Sequence, residues 1–323
     1  MFLDHHRQLF QEYLESQIKI REPQNLYNPT SYILQLGGKR VRPCMVLLGA
    51  EVVGGSPKDA LAAAMAVEVF HNFSLVHDDI MDEAPLRRGK PTVHEKWDVN
   101  TAILSGDVML VNAYQYLENY PPELFAQLMG LFSKTAQEVC EGQQWDMDFP
   151  KQSEVSLEAY MQMITYKTAV LLGCALAMGA RVGGASPELT QQLYDFGKQL
   201  GVSFQLLDDY LDTYGDPKTF GKQVGGDIIE NKKTWLFLHA QKNLDTSDRN
   251  ALEELYTSEH THTEQKIEQV KALFEKAGTP TALSHEIKAQ GTQAFKTLEQ
   301  MEMATDKKES LKAFAETLMG RTF

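Results

Sequence analysis

Two acidic stretches have the residue types and spacing to bind metal. In residues 70–94, FHNFSLVHDDIMDEAPLRRGKPTVH, Asp78, Asp79 and Asp82 stand among Phe70, Phe73, Leu75, Val76, Ile80 and Met81. That apolar setting predicts a helix, on which residues four apart share a face about 5–6 Å from one another. Asp78 and Asp82 then project together, and Asp79 points roughly 100° away. Two carboxylates aimed at one point repel unless positive charge lies between them. A hard cation such as Mg2+ takes few protein carboxylates and completes its shell with water and phosphate oxygen. Arg87 and Arg88 follow with guanidinium forks suited to phosphate. Acid for a metal beside base for phosphate reads as a metal–diphosphate site.

The pattern recurs in residues 204–212, FQLLDDYLD, where Asp208, Asp209 and Asp212 end a second apolar helical run. One such motif could be a solvated helix cap; two, with basic partners, point to metal. A calcium loop is excluded, because neither stretch has the alternating oxygens and central glycine of an EF-hand.

Helices must position these residues. Almost every segment has helical period and few alternate strictly. Residues 2–20 predict an amphipathic helix with Phe2, Leu3, Phe10, Leu14 and Ile18 inward, interrupted by Pro23 and Pro29. A short helix near 30–36 leads into Gly37 and Gly38, which let the backbone approach a phosphate closely. Pro43 opens the next helix, and Ser56 with Pro57 forms the cap and first position of the helix carrying the first acidic motif. Residues 83–98 are expected as a loop carrying the arginines over the site. Helices follow at 100–119, 123–144 and 157–182, with a loop at 145–155. Ser186 and Pro187 open the helix ending in the second motif, 214–230 is a glycine-rich loop, and 231–323 is helical with a break at 278–280.

The chain has 323 residues, 43% of them hydrophobic, enough for a sizeable core. A net charge of -13 excludes a nucleic-acid surface, which needs a basic stripe. Cys44, Cys140 and Cys174 lack metal spacing and read as reduced thiols. The N-terminal stretch has no apolar signal core, and the longest apolar run, 169–180, is too short to span a bilayer, so a cytoplasmic protein is expected.

Five pieces carry a resemblance: GGKRVRP (37–43), HNFSLVHDDIMD with LRRGKPTVH (71–94), YKT (166–168), FQLLDDYLD (204–212) and GKQVGGDIIENKKT (221–234). In their order and approximate spacing the chain resembles the trans-isoprenyl diphosphate synthase (polyprenyl synthetase) family along nearly its whole length. The resemblance implies an all-α, single-domain bundle of long helices around a central cavity, spanning 1–323, with the two acidic motifs across its mouth. It implies Mg2+-dependent head-to-tail prenyl transfer, with three Mg2+ ions (Mn2+ as an alternative) on Asp78, Asp82 and Asp208, and with Asp79 and Asp212 completing the motifs. Lys39, Arg42, His71 and Arg88 would bind isopentenyl diphosphate. Arg87, Lys167, Lys222 and Lys232 would bind the allylic diphosphate (dimethylallyl, geranyl or farnesyl). Thr168 and Gln205 would face the developing cation, and released diphosphate would take the final proton. A homodimer is also implied.

Product length is expected to depend on residues below Asp78. Ser74 is small and nearly in line with it, whereas Phe73 lies five residues, about 7.5 Å, down and well round the helix. Geometry alone makes Phe73 core. The resemblance, an aromatic here beside a small residue, implies geranylgeranyl diphosphate (C20), with farnesyl diphosphate (C15) as the alternative and Phe70 sharing the role. Three rivals are disfavoured. A terpene cyclase should lack GGKRVRP, a non-catalytic subunit of a heteromeric synthase should have lost aspartates, and a helical scaffold leaves paired buried carboxylates unexplained.

Overall fold

The apolar period becomes helix along nearly the whole chain. The computed structural model describes residues 4–216, 224–257 and 263–319, and among these only one two-stranded hairpin is extended. The helices begin with α1 (Asp4–Gln17), α2 (Gln24–Gln35), α3 (Val41–Val52) and α4 (Leu61–Met81). The hairpin β1 (Leu86–Arg87) and β2 (Lys90–Pro91) and the short α5 (Val93–Lys96) follow. Next come α6 (Val99–Leu117), α7 (Pro122–Asp148), α8 (Leu157–Ile164), α9 (Val170–Val182) and α10 (Pro187–Tyr214). The chain ends with α11 (Gly226–Ile229), α12 (Trp235–Asn243), α13 (Thr246–Thr257), α14 (Thr263–Lys276), α15 (Thr279–Gln300) and α16 (Thr305–Met319).

Contacts group the chain into two compact units, residues 1–134, 174–194 and 301–314 in the first, and 135–173, 195–300 and 315–323 in the second. In the first unit α4 packs against α3 and α6 around Phe10, Leu14, Ile33, Met45, Leu48 and Phe70, all fully buried. In the second, α12 packs against α8, α14 and α15 around Leu206, Phe237, Phe274 and Ile287.

Local chemistry sets the boundaries. Ser186 caps α10 by accepting from the Leu189 amide at 3.2 Å, and Ser156 caps α8 by accepting from Ala159 at 3.0 Å. Ser56 makes no such bond; Pro57–Ala60 form a 3-10 turn ahead of α4, so the expected cap is absent. Pro29 lies inside α2 instead of interrupting the chain there. His6 joins Phe10 and Leu14 on the buried face of α1 and pairs with Glu51 at 2.7 Å; the expected Phe2 and Leu3 lie outside the described residues. The helix expected to stop at 144 continues to Asp148, and Asp146 comes with it.

Two further departures shape the site. The loop expected over 83–98 contains the hairpin, with Leu86 opposite Pro91 and Arg87 opposite Lys90. Both of its turn residues, Arg88 (φ 53°) and Gly89 (φ 72°), are left-handed, as tight hairpins require. The helix expected over 157–182 is interrupted by a π-turn at Thr165–Ala169, a distortion frequent at functional sites. Segments 57–81 and 157–182 are long and apolar enough to cross a bilayer, but 67% and 78% of their apolar windows are buried within the protein, so they serve as core helices.

Candidate active site

In the first unit the glycine pair and the hairpin tip bring together a cationic cluster. Gly37 (φ 80°) and Gly38 (φ 131°) are both in conformations that side chains disfavour. A Cβ on Gly38 would lie 2.8 Å from the Arg88 guanidinium carbon, and that guanidinium donates to the Gly37 carbonyl. Arg40, which sequence reasoning did not single out, is buried and neutralised by Glu68. Its neighbour Arg42 contacts the His71 ring, Nη1 to Nε2, at 3.2 Å.

Charge crowding here is one-signed. Burial, opposed by Glu68 and reinforced by Arg88, lowers Arg42 to about 10. Burial, then Arg42, Arg88, Arg87 and Arg40, holds His71 well below its usual range, so the ring is neutral. Cations crowded in this way are relieved by an anion, and a diphosphate supplies several acceptor oxygens at once. Arg42, His71 and Arg88 therefore come together as expected, with Lys39 exposed on the same turn.

The acidic end of α4 divides its three aspartates. Asp82 terminates the helix, its amide donating to the Asp78 carbonyl at 2.9 Å, so Asp78 and Asp82 keep their one-turn relation. Asp79 faces inward with no exposed surface, and Arg87 grips it. Arg87 Nε donates to both carboxylate oxygens at 2.8 and 2.9 Å, and Nη2 lies 2.7 Å from Oδ1. Asp79 thus spends its carboxylate on the hairpin arginine, in line with its expected direction away from the face of Asp78 and Asp82. Arg87 Nη2 is also 3.6 Å from Asp78.

Below the motif, the Ser74 hydroxyl donates to the His71 carbonyl at 2.8 Å and stays close to the helix. Phe73 retains 9% exposure and Phe70 1%, which puts Phe73 outermost of the two. Its ring meets His77 edge-on at 4.8 Å and Phe70 at 5.6 Å.

The second unit holds a cleft of about 100 Å³. The π-turn offers Lys167 and Thr168 to it, and two glycines set the neighbouring helices against that turn. A Cβ on Gly142 of α7 would lie 2.2 Å from the Lys167 nitrogen, and one on Gly201 of α10 would lie 2.6 Å from the Ala169 Cα. One turn beyond each glycine stands the polar residue it delivers. Asp146 meets Lys167 Nζ at 2.5 Å, and Gln205 Oε1 accepts from the Thr168 hydroxyl at 3.0 Å. Gln205 Nε2 donates onward to Asp209 Oδ1 at 3.1 Å, and the Tyr160 hydroxyl donates to Asp209 Oδ2. Lys167, Thr168, Gln205 and Lys232 all border this cleft.

Here too the middle aspartate is an internal anchor, since Asp209 is 4% exposed whereas Asp208 and Asp212 are half-buried. Asp212 Oδ2 accepts from the Asp227 amide at 3.0 Å and its carbonyl from the Gly225 amide at 2.6 Å, tying α11 to α10. Lys232 pairs with Glu230 at 2.8 Å and approaches Asp227 at 3.9 Å. Lys222 lies outside the described residues. Burial pushes Asp209 up to about 7 even against its two donors, with Asp208 and Asp212 adding to the rise. Burial, then Asp212 and Asp209, raises Asp227 well above the carboxylate range. Asp146, Tyr160 and Asp227 were missed from sequence; only Asp227, inside GKQVGGDIIENKKT, lay in a stretch already singled out.

Among the described residues no three His, Cys, Asp or Glu side chains close into a ready-made metal cage. The donors nevertheless fit a hard cation: they are carboxylate oxygens, and those on α10 are strained by mutual repulsion. Mg2+ needs only one or two carboxylates beside substrate phosphate and water.

Comparison with known proteins gives the same direction. The chain is 36% identical over 300 residues to a short chain isoprenyl diphosphate synthase of Methanothermobacter thermautotrophicus, covering 93% of this chain and 91% of that one. It is 41% identical over 230 residues to a geranylgeranyl diphosphate synthase of Methanosarcina mazei, covering 70% and 71%. A crystal structure of a geranylgeranyl pyrophosphate synthase superposes with a TM-score of 0.95 at 49% identity, over 99% of each chain. Another, from Corynebacterium glutamicum and complexed with isoprenyl diphosphate and magnesium, gives 0.87 at 26% identity over 99% and 98%. The polyprenyl synthetase family model matches residues 23–274, and the chain belongs to that family.

Proposed function

We infer that this prenyltransferase condenses isopentenyl diphosphate with an allylic diphosphate, head to tail, and releases geranylgeranyl diphosphate as its main product. The observation that carries the reading is a pair of opposite charge deficits. Cations crowd around His71 in the first unit, and carboxylates crowd around Asp227 in the second. An anionic substrate relieves the first, and a divalent cation relieves the second.

Asp78, Asp82, Asp208 and Asp212 are the residues that would hold Mg2+, which when bound neutralises a diphosphate and makes it a better leaving group. The number three rests on the family resemblance. Arg42, Arg88 and Lys39 bind the diphosphate of isopentenyl diphosphate, and neutral His71 adds a hydrogen bond without competing charge. Lys167, Lys232 and Arg87 offset negative charge on the allylic partner. Thr168 and Gln205 present oxygen dipoles to the cation left by ionisation. The C20 product rests on Phe73 beside Ser74 and on the names of the relatives above, with the C15 product as the second reading. A homodimer is supported by α6, whose outer face exposes Ile103 (40%), Leu104 (59%) and Val111 (54%). Leu104→Glu with Val111→Glu should yield monomers in sedimentation.

The test is a product assay: isopentenyl diphosphate with dimethylallyl, geranyl or farnesyl diphosphate, Mg2+ or a chelator, and products resolved by chain length. A C20 product lost on chelation is expected. No product from any starter with Mg2+ present overturns the reading.

A further inference from the structure

We propose that Tyr160 is a positioning residue that holds Asp209, and through it the Gln205 amide and Thr168 hydroxyl, in the orientation that turns oxygen lone pairs toward the reacting carbon. The proposal rests on the prenyl-transfer reading above.

The geometry is a relay of four side chains, all in the second unit. Tyr160, 3% exposed on α8, donates to Asp209 Oδ2. Held from Oδ2, Asp209 presents Oδ1 to the Gln205 amide and fixes which end of that amide faces it. The amide nitrogen does, at 3.1 Å, which leaves Gln205 Oε1 on the opposite side. That oxygen accepts the Thr168 proton at 3.0 Å. The Thr168 hydroxyl thereby spends its only hydrogen on Gln205, and its remaining lone pairs are open toward the cleft that both residues line. The bonds from Thr168 to Gln205 and from Gln205 to Asp209 run in one direction and polarise each other, and Tyr160 meets them at Asp209 from the other side, where it fixes the carboxylate in place. An amide turned the other way would offer N–H groups, the wrong sign for a carbocation.

Tyr160 is the distal end of that relay. Without its hydroxyl, Asp209 Oδ2 loses its donor and the carboxylate is free to rotate, carrying the Gln205 amide with it. Substrate binding through lysines and metal is left in place. The role is therefore one of kcat and not of KM, and it acts through Gln205.

The experiment is a double-mutant cycle of Tyr160→Phe with Gln205→Leu. It is read as kcat and KM for both diphosphates, with thermal unfolding as a check on folding. Tyr160→Phe alone should lower kcat about ten- to a hundredfold, the weight of one hydrogen bond to a charged group, with both KM values unchanged. In the Gln205→Leu background the same change should cost less than about threefold, since coupled residues are not additive. Multiplicative losses, or a loss confined to KM, overturn the proposal. Should Tyr160→Phe not fold, Asp209→Asn supplies the test. Its amide can donate to Gln205 and permit the turned orientation, so kcat should fall at an unchanged Mg2+ requirement, and an unchanged kcat overturns the proposal. If the wild-type protein forms no prenyl product at all, the functional reading fails; an active wild type with an additive cycle removes the Tyr160 proposal alone.

Discussion

Asp78 and Asp79 are adjacent, and their replacement should fail in different ways. In Asp79→Asn the side chain keeps its shape but loses its charge, and one of the two oxygens that Arg87 contacts at 2.7, 2.8 and 2.9 Å becomes an amide NH2 facing the guanidinium. Burial raises Asp79 even with Arg87 bound, whereas Asp79 raises Arg87 despite its burial. The two shifts disagree on how favourable the pair is. The carboxylate is the deeper group, so desolvation weighs more on it, and the net worth of the intact pair is modest. Breaking a buried pair is costlier, about 3–5 kcal/mol when both partners are fully enclosed. The Arg87 side chain is 25% exposed, so water recovers part of this, and about 2–3 kcal/mol is expected. At roughly 2–4 °C per kcal/mol, Tm should fall by about 4–12 °C. Asp78→Asn should leave Tm within about 2 °C, since its contact with Arg87 is long, 3.6 Å, and its side chain keeps 19% exposure, yet reduce prenyl transfer by orders of magnitude through loss of metal affinity. Thermal unfolding beside Mg2+-dependent turnover separates the two. An Asp79→Asn protein with wild-type Tm and a raised Mg2+ requirement refutes the anchoring role.

Arg42→Ala should raise KM for isopentenyl diphosphate about tenfold or more, as expected for a charge-assisted contact, with a smaller effect on the allylic substrate; equal effects on both would mean the two diphosphate sites are confused. Phe73→Ala should lengthen the product by at least one isoprene unit and Ser74→Phe should shorten it, as read by chromatography of the dephosphorylated alcohols. An unchanged distribution in Phe73→Ala makes it ordinary core. His71 carries a pH signature: the unfolded chain takes up a proton near 6.5 and the folded ring does not, because burial and the arginines hold it lower. Stability should therefore fall as pH drops below about 6.5, and His71→Gln should flatten that limb. Pyrophosphate should raise the His71 value in an NMR titration, and a free-protein value near 6.5 would refute the crowding.

What was legible in the sequence is what short-range periodicity encodes. The helical class, the one-turn relation of Asp78 to Asp82, the caps at Ser186 and the gathering of Lys39, Arg42, Arg87 and Arg88 into short stretches all follow from residues a few positions apart. Burial of a single carboxylate does not, because it depends on groups distant in the chain. Asp79 and Asp209 look like their neighbours in DDIMD and DDYLD, yet each is turned inward by a partner that the fold delivers. Arg87 comes through a hairpin eight residues on, and Tyr160 from a helix 49 residues away. The π-turn at Thr165–Ala169 was hidden for the same reason: TYKTA has no glycine or proline to mark a break in the helix expected over 157–182. The glycines that let α7 and α10 approach it, Gly142 and Gly201, show their purpose only once the helices are packed. Spacing determined which residues could share a face, and packing decided which of them kept their charge for the substrate and which spent it holding another side chain.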